Sequence, residues 1–293
     1  MSGADEPGPA ANATSRPVPF HLPADQDPRQ VPAALGALHR RLPVGARVEL
    51  RVEGASPQPR WPGTRLADVV TGAGFHPDGP GRRRRRPTGS TPTDAPRPPA
   101  PRGPEGDLVL VATRQRTLAD TVGPGMRLLV AGLNPSLYSA DEGIAFARPG
   151  NRFWPAAVAA GLVERDRDPL DALARHGLGM TDVVKRATPR ADELTAPEYR
   201  RGLDRLGRLV SWLEPAAVCF VGLAGWRAAV DRRAVAGIQP EGLGGTAVYV
   251  MPSTSGVNGR SSLDDLTTHL RAAAELADAG RAGITPAGGG AGG

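Results

Sequence analysis

The sequence is poor in cysteine and in long apolar runs. A single thiol, Cys219, excludes an internal disulfide and any four-cysteine zinc or iron–sulfur centre. It lies in the run Ala216-Ala217-Val218-Cys219-Phe220-Val221, where a buried, inert side chain is expected. No stretch approaches the ~20 apolar residues of a membrane span. Met1 to Pro19 lacks the basic start and apolar run of a secretory leader, so a reducing, cytoplasmic setting is expected.

Glycine and proline are abundant, 38 and 31 of the 293 residues, which implies that parts of the chain stay outside a packed core. Hydrophobic content of 40% still supports a core. The formal charge is +6, so an anionic partner is the natural one: nucleic acid first, an acidic membrane surface second.

Residues 1–19 predict a disordered tail rich in Pro, Ala and Gly. Residues 20–76 carry modest periodicity. Leu35, Leu38 and Leu42 share a helical face, Ala46 to Glu53 alternates like a half-buried strand, and Thr64–Thr71 is a short helix stopped by Gly72. These pieces make a poor core by themselves, so the segment has to lean on something else. Residues 77–106 hold the run Arg82 to Arg86 and almost no apolar side chains, which predicts an extended linker. Its arginines are either simply solvated or track phosphates. Residues 280–293 predict a second disordered tail.

Residues 107–279 read as α/β. Leu108–Ala112, Arg127–Ala131, Ala216–Val221 and Ala247–Met251 predict strands; Trp154–Ala160, Pro169–Arg175, Pro197–Leu213 and Ala224–Arg233 predict helices between them. That alternation implies a short parallel sheet flanked by helices, with ligands bound at the carboxyl ends of the strands. Three loops of small and polar residues leave such ends: Gly132-Leu133-Asn134-Pro135-Ser136, Gly222-Leu223-Ala224-Gly225-Trp226, and Pro252 to Arg260.

Gly132-Leu133-Asn134-Pro135, then Phe146-Ala147-Arg148-Pro149-Gly150-Asn151-Arg152-Phe153-Trp154, then Met251-Pro252-Ser253 resemble the mismatch-specific uracil/thymine DNA glycosylase family. Gly179 to Val184 is similar to a further family segment, and the likeness runs from about Arg127 to Leu270. It implies the uracil-DNA glycosylase fold, with no metal and no cofactor. The partner would be double-stranded DNA holding a mismatched or damaged pyrimidine, met by a monomer in the cytoplasm, at the nucleoid. The reaction would hydrolyse the N-glycosidic bond of uracil opposite guanine, with thymine and other damaged pyrimidines as further candidates.

On that resemblance Asn134 holds the attacking water. A neutral amide is no base, so it would contribute position and electrostatics to a slow, dissociative reaction; the alternative is an Asx-type turn before Pro135. Phe146 matches the family's stacking aromatic, against the alternative of core packing. Backbone around Gly132, Leu133, Pro135 and Phe146 would meet the base edge. Ser136 stands where uracil-only enzymes carry tyrosine and leaves room for a thymine methyl group. Asn151 would cap the next helix, Arg152 would reach a carboxylate or a phosphate, and Phe153 and Trp154 would be core. Ser253, Ser255, Gly256, Val257, Asn258 and Arg260 belong to a loop that would enter the duplex. This loop is about three residues longer than the family pattern, so the wedge is Val257, Asn258 or Arg260, with Arg260 preferred for its length. With no lysine near the three loops, strand cleavage through a Schiff base is not expected. Asp182 follows Thr181 at an apparent strand-to-loop edge and reads as structural.

His39 to Gly45, the strand Arg47–Val52 and Leu66 to Phe75 resemble the late part of an S-adenosylmethionine-dependent methyltransferase, without the Gly-rich loop that would hold the cofactor. This points to a degenerate remnant or a docking surface. Two other function classes stay open: a mismatch-sensing DNA-binding protein with little catalysis, and a small-molecule-binding α/β protein.

Overall fold

The computed structural model describes residues 16–23, 27–52, 63–79, 82–84, 107–257 and 259–283. They form two five-stranded sheets flanked by helices, so the described residues are α/β. The first sheet holds β1 (Val18–Leu22), β2 (Arg47–Val52), β3 (Phe75–Pro77), β4 (Arg82–Arg84) and β5 (Asp107–Arg114). Helix α1 (Val31–Arg41) links β1 to β2, and α2 (Gly63–Gly72) precedes β3. β1 and β2 are parallel, while β5 runs antiparallel between β2 on one side and β3 and β4 on the other. The alternation in β2 buries Val48, Leu50 and Val52 with Leu35, Val69, Val70 and Phe75.

Three expectations are corrected here. The strand at Leu108–Ala112 is the central strand of the first sheet, so a boundary at residue 107 would cut through that sheet. Arg82–Arg84 do not remain unpaired linker; they pair with Val109, Leu108 and Asp107. Val18 and Pro19, expected in the tail, pair with Val48 and Glu49. Edge pairing is made by main-chain groups, and arginine or proline on an edge offends no core, so apolar periodicity gives no sign of it. Residues 1–15, Arg85 and Arg86 with the rest of the expected linker to 106, and residues 284–293 lie outside the described residues.

The second sheet follows. Its elements are β6 (Leu128–Gly132), α3 (Leu137–Glu142), α4 (Phe153–Ala159), α5 (Pro169–His176), β7 (Leu178–Asp182) and α6 (Ala196–Leu213). Then come β8 (Ala217–Val221), α7 (Leu223–Ala229), β9 (Gly237–Ile238), β10 (Val248–Met251) and α8 (Leu263–Arg281). Strand order is β7-β6-β8-β10-β9, parallel except for β9. Period-2 alternation splits the sheet into two cores. Leu128, Val130, Cys219, Val221 and Met251 pack with Phe153, Trp154 and α8 residues such as Leu266 and Leu270. Leu129, Ala131, Val218, Phe220 and Val250 pack with Leu206, Val210 and Trp226 of α6 and α7. Each fully buried side chain of this size contributes about 1.5–3 kcal/mol. Burial pushes the Cys219 thiol up to about 12, as an inert core cysteine should be. α6 starts as Thr195 and Pro197 predict, with the Glu198 carboxylate accepting from the Thr195 N–H at 2.9 Å. Among the described residues no helix is long and apolar enough to cross a membrane.

The first sheet leans on α6. Arg208 makes a two-pronged ion pair to Asp68 at 2.6 and 2.9 Å, and the Arg65 guanidinium lies 5.3 Å from the centre of the Trp212 ring.

Candidate active site

At the carboxyl ends of β6, β7, β8 and β10 lies a cleft of about 610 Å³, within the size range of small-ligand sites. Gly132, Leu133, Asn134, Pro135, Ser136, Phe146, Asn151, Asp182, Thr188, Ser253, Ser255 and Val257 are among its lining residues. Residues separated by over a hundred positions therefore meet as the sheet order requires. Gly256 and Arg260 are exposed outside that lining, and Asn258 lies outside the described residues. The second loop does not do what its small residues suggest. Only Val221 before it reaches the cleft; the rest starts α7, and Gly225 is small because Leu133 Cδ2 lies 2.5 Å from where its Cβ would be.

The loop after β6 is zipped to the chain leaving β7. Val183 and Val184 N–H donate to Gly132 and Leu133 carbonyls at 2.9 Å, and Thr188 N–H to Pro135 O at 3.2 Å. The Asn134 side chain is oriented by the same segment. Its Nδ2 donates to Thr188 Oγ1 at 2.7 Å and to Arg186 O at 3.0 Å. Thr188 spends its own proton on Arg190 O at 2.7 Å, so its oxygen can only accept. Two acceptors therefore fix which end of the carboxamide is nitrogen, and leave Oδ1 as the acceptor of a half-buried side chain in the cleft. The sequence gives no hint of Thr188, which is 54 positions from its partner.

Phe146 holds a positive φ of 56°, an uncommon conformation for an aromatic residue. The strain is held from two sides: Trp154 Nε1 donates to Ala145 O at 2.7 Å, and Ser139 Oγ accepts from Ala147 N–H at 3.3 Å. The Phe146 ring stacks on Phe153 with centroids 4.2 Å apart and planes at 23°, and also lines the cleft. It is thus neither pure core nor free; it is a backed platform. Phe153 and Trp154 are buried, as expected. Ser136 caps α3, its hydroxyl accepting from Ser139 N–H at 3.1 Å.

Asn151 Oδ1 accepts from Phe153 N–H at 2.9 Å at the start of α4. Arg152 stands at the start of α4. Its guanidinium donates to the carbonyls of Ser261 and Ser255, and its N–H to Thr254 O at 2.9 Å, so it clamps the third loop. That loop presents Val257 at the cleft with 86% of its surface exposed.

Asp182, read from sequence as structural, ends β7 inside the cleft, opposite Gly132. A Cβ on Gly132 would lie 2.6 Å from Asp182 Oδ1, so glycine there makes room for the carboxylate. Burial pushes the Asp182 carboxyl up to about 6; Lys185 and Arg205 work against that, and Asp120 adds to it. The oriented amide and this carboxyl line the same cleft, and a carboxyl poised near neutrality can accept a proton where an amide cannot.

Residues 119–277, just over half of the chain, match the Uracil DNA glycosylase superfamily. Among solved structures, the solution NMR structure of a candidate uracil DNA glycosylase from Methanosarcina acetivorans is similar at 18% identity and a TM-score of 0.37. The match covers 55% of this chain and 97% of that one.

Proposed function

The chain belongs to the uracil DNA glycosylase superfamily, and from that premise we propose that it is a monofunctional DNA glycosylase acting on uracil opposite guanine. The family carries the DNA substrate and glycosylase activity; the mismatch, the base and the residue roles are this proposal. The observation that supports it most is the Asn134 carboxamide, with both its donors engaged and its oxygen left to hold a water in a cleft floored by Phe146.

A flipped pyrimidine would stack on Phe146, a contact worth about 1–3 kcal/mol. As the glycosidic bond lengthens, positive charge grows on the sugar and negative charge on the base. Asn134 presents the water to C1′, and the Asp182 carboxylate takes its proton and offsets the sugar's charge. Ser136, held by its capping bond, leaves space for a 5-methyl group, so thymine is the second substrate. Val257, the apolar side chain exposed at the cleft, serves as wedge in preference to Arg260. The first sheet, with an antiparallel strand set between parallel neighbours, is proposed as a methyltransferase-like remnant serving as a docking element. The protein would act as a monomer at the nucleoid.

Purified protein is incubated with a G·U duplex and treated with hot alkali, which cuts only abasic sites. Asn134→Ala should lower single-turnover excision by roughly 10²–10³ with duplex affinity retained. Uncut wild-type reactions would favour the mismatch-sensing alternative, and an Asn134→Ala enzyme as fast as wild type would remove the catalytic assignment.

A further inference from the structure

Behind the cleft, and outside the machinery just proposed, lies a buried group of three charges. Asp120 Oδ1 meets Lys185 Nζ at 2.7 Å and Asp120 Oδ2 meets an Arg205 terminal nitrogen at 2.9 Å, with side chains 3%, 9% and 6% exposed for Asp120, Lys185 and Arg205. Lys185 is the only lysine of the chain. Thr181 donates its hydroxyl to the same Asp120 oxygen at 2.7 Å. Burial pushes the Asp120 carboxyl up, but Lys185 and Arg205 outweigh it and hold it below its ordinary value.

The triad grips the segment that carries the proposed chemistry. Arg205 donates to the Asp182 carbonyl at 2.8 Å, and the Lys185 carbonyl accepts the Thr117 hydroxyl. The next carbonyl, Arg186 O, is the one that orients Asn134. On its other side the triad is closed by the first sheet. Asp120 N–H donates to Gly72 O at 2.8 Å, at the carboxyl end of α2. A Cβ on Gly72 would lie 2.3 Å from Asp120 Oδ2 and 3.0 Å from the Arg205 nitrogen, so only glycine lets α2 close down on the ion pair.

We infer that the first sheet is a positioning element for the active site: α2, seated through Gly72, keeps the Asp120–Lys185–Arg205 triad dry and registered, and the triad places Asp182 and the partners of Asn134. This rests on the glycosylase reading above. Buried ion pairs add little net stability over apolar packing, so stability alone is a weak reason to hold three charges here. Misplacing a catalytic group by ~1 Å can cost about 10²-fold in rate, which is a strong reason. The charged groups facing Asp182 are Lys185, Asp120 and Arg205, with Arg148, Arg190 and Asp192 lining the same cleft.

The test uses the full chain and two variants, Gly72→Ala and Lys185→Met, with Lys185→Arg as the conservative control. On a G·U duplex, Gly72→Ala should slow single-turnover excision roughly tenfold or more while duplex Kd stays within about twofold. Lys185→Met should also move the acid limb of the rate profile to higher pH, because a cation that favours the Asp182 carboxylate is gone; Lys185→Arg should return most of the rate. A second readout needs no activity: the Asn134 side-chain amide protons, followed by NMR, should exchange with solvent faster in Gly72→Ala than in wild type. Unchanged rate, pH profile and exchange in Gly72→Ala would overturn the inference, as would loss of rate only in proportion to loss of folded protein. An inactive wild type would instead sink the glycosylase reading, leaving the exchange measurement to decide the seat.

Discussion

At the scale of single residues, the division of labour proposed for Asn134 and Asp182 would set the pH behaviour. The Asp182 carboxyl is raised to about 6 by burial, so the folded state holds this proton more tightly than the unfolded chain. The associated stability is complete below the ordinary carboxylate range and is lost as pH rises through about 6. On the proposed mechanism activity would run the opposite way, since the carboxylate would be the working form. Asp182→Asn should therefore raise the thermal midpoint at pH 8, by the equivalent of roughly 1–3 kcal/mol, and leave it unchanged near pH 3. The same variant should lose the acid limb of the excision profile. A melting point that does not move at pH 8 would show that the carboxylate is solvated and the role misassigned. Asn134 was legible as a candidate because its short motif, weak alone, stands in order with two others. Asp182 was not, because what changes a carboxylate is the tertiary environment that buries it.

Among the elements, those with a continuous apolar signature were readable: β6, β8 and β10 fall where Arg127–Ala131, Ala216–Val221 and Ala247–Met251 predict them. β7 reads Leu-Gly-Met-Thr-Asp and ends at Asp182, the strand-to-loop edge expected there, but its glycine, hydroxyl and acid hide how fully it is buried. β4 is three arginines, and its pairing with β5 is made by main-chain groups that leave no apolar pattern. The third loop shows the same limit, since its length could be counted but not its tie to α4 through Arg152. That tie holds Val257 out at the mouth. Val257→Gly should weaken binding to a G·U duplex and slow excision several-fold, with a much smaller effect when the uracil lies in single-stranded DNA, where no stacking partner has to be replaced. Equal losses on both substrates would argue against a wedge.

For the whole molecule, the question raised by residues 20–76 was what so thin a segment leans on. It leans on α6 and on the connection between the sheets, and one buried imidazole marks that seat. His39 lies edge-to-face on Phe75 with centroids 5.5 Å apart, and its Nε2 meets Gln115 O at 3.2 Å, so that nitrogen carries the proton. Burial, with Arg114 adding to it, lowers the His39 pKa to about 4. Its share of stability is present above the ordinary histidine value of 6.5 and is lost as pH falls towards 4. Protection factors for amide exchange at α1 and β2, taken relative to the intrinsic rate at each pH, should fall between pH 7 and pH 4 in wild type, and His39→Gln should flatten that dependence. A flat wild-type profile would count against this link between charge and seating.

The place of β5 has a practical side. It is the middle of the first sheet, yet in the chain it stands just before the second. A shortened protein beginning at Asp107 would carry a strand with both edges bare and Val109, Leu110 and Ala112 stripped of cover. Such a strand recruits its like from other molecules. Poor solubility of that fragment would say nothing about the catalytic half, whereas a cut beyond Arg114 would remove the sticky ribbon altogether.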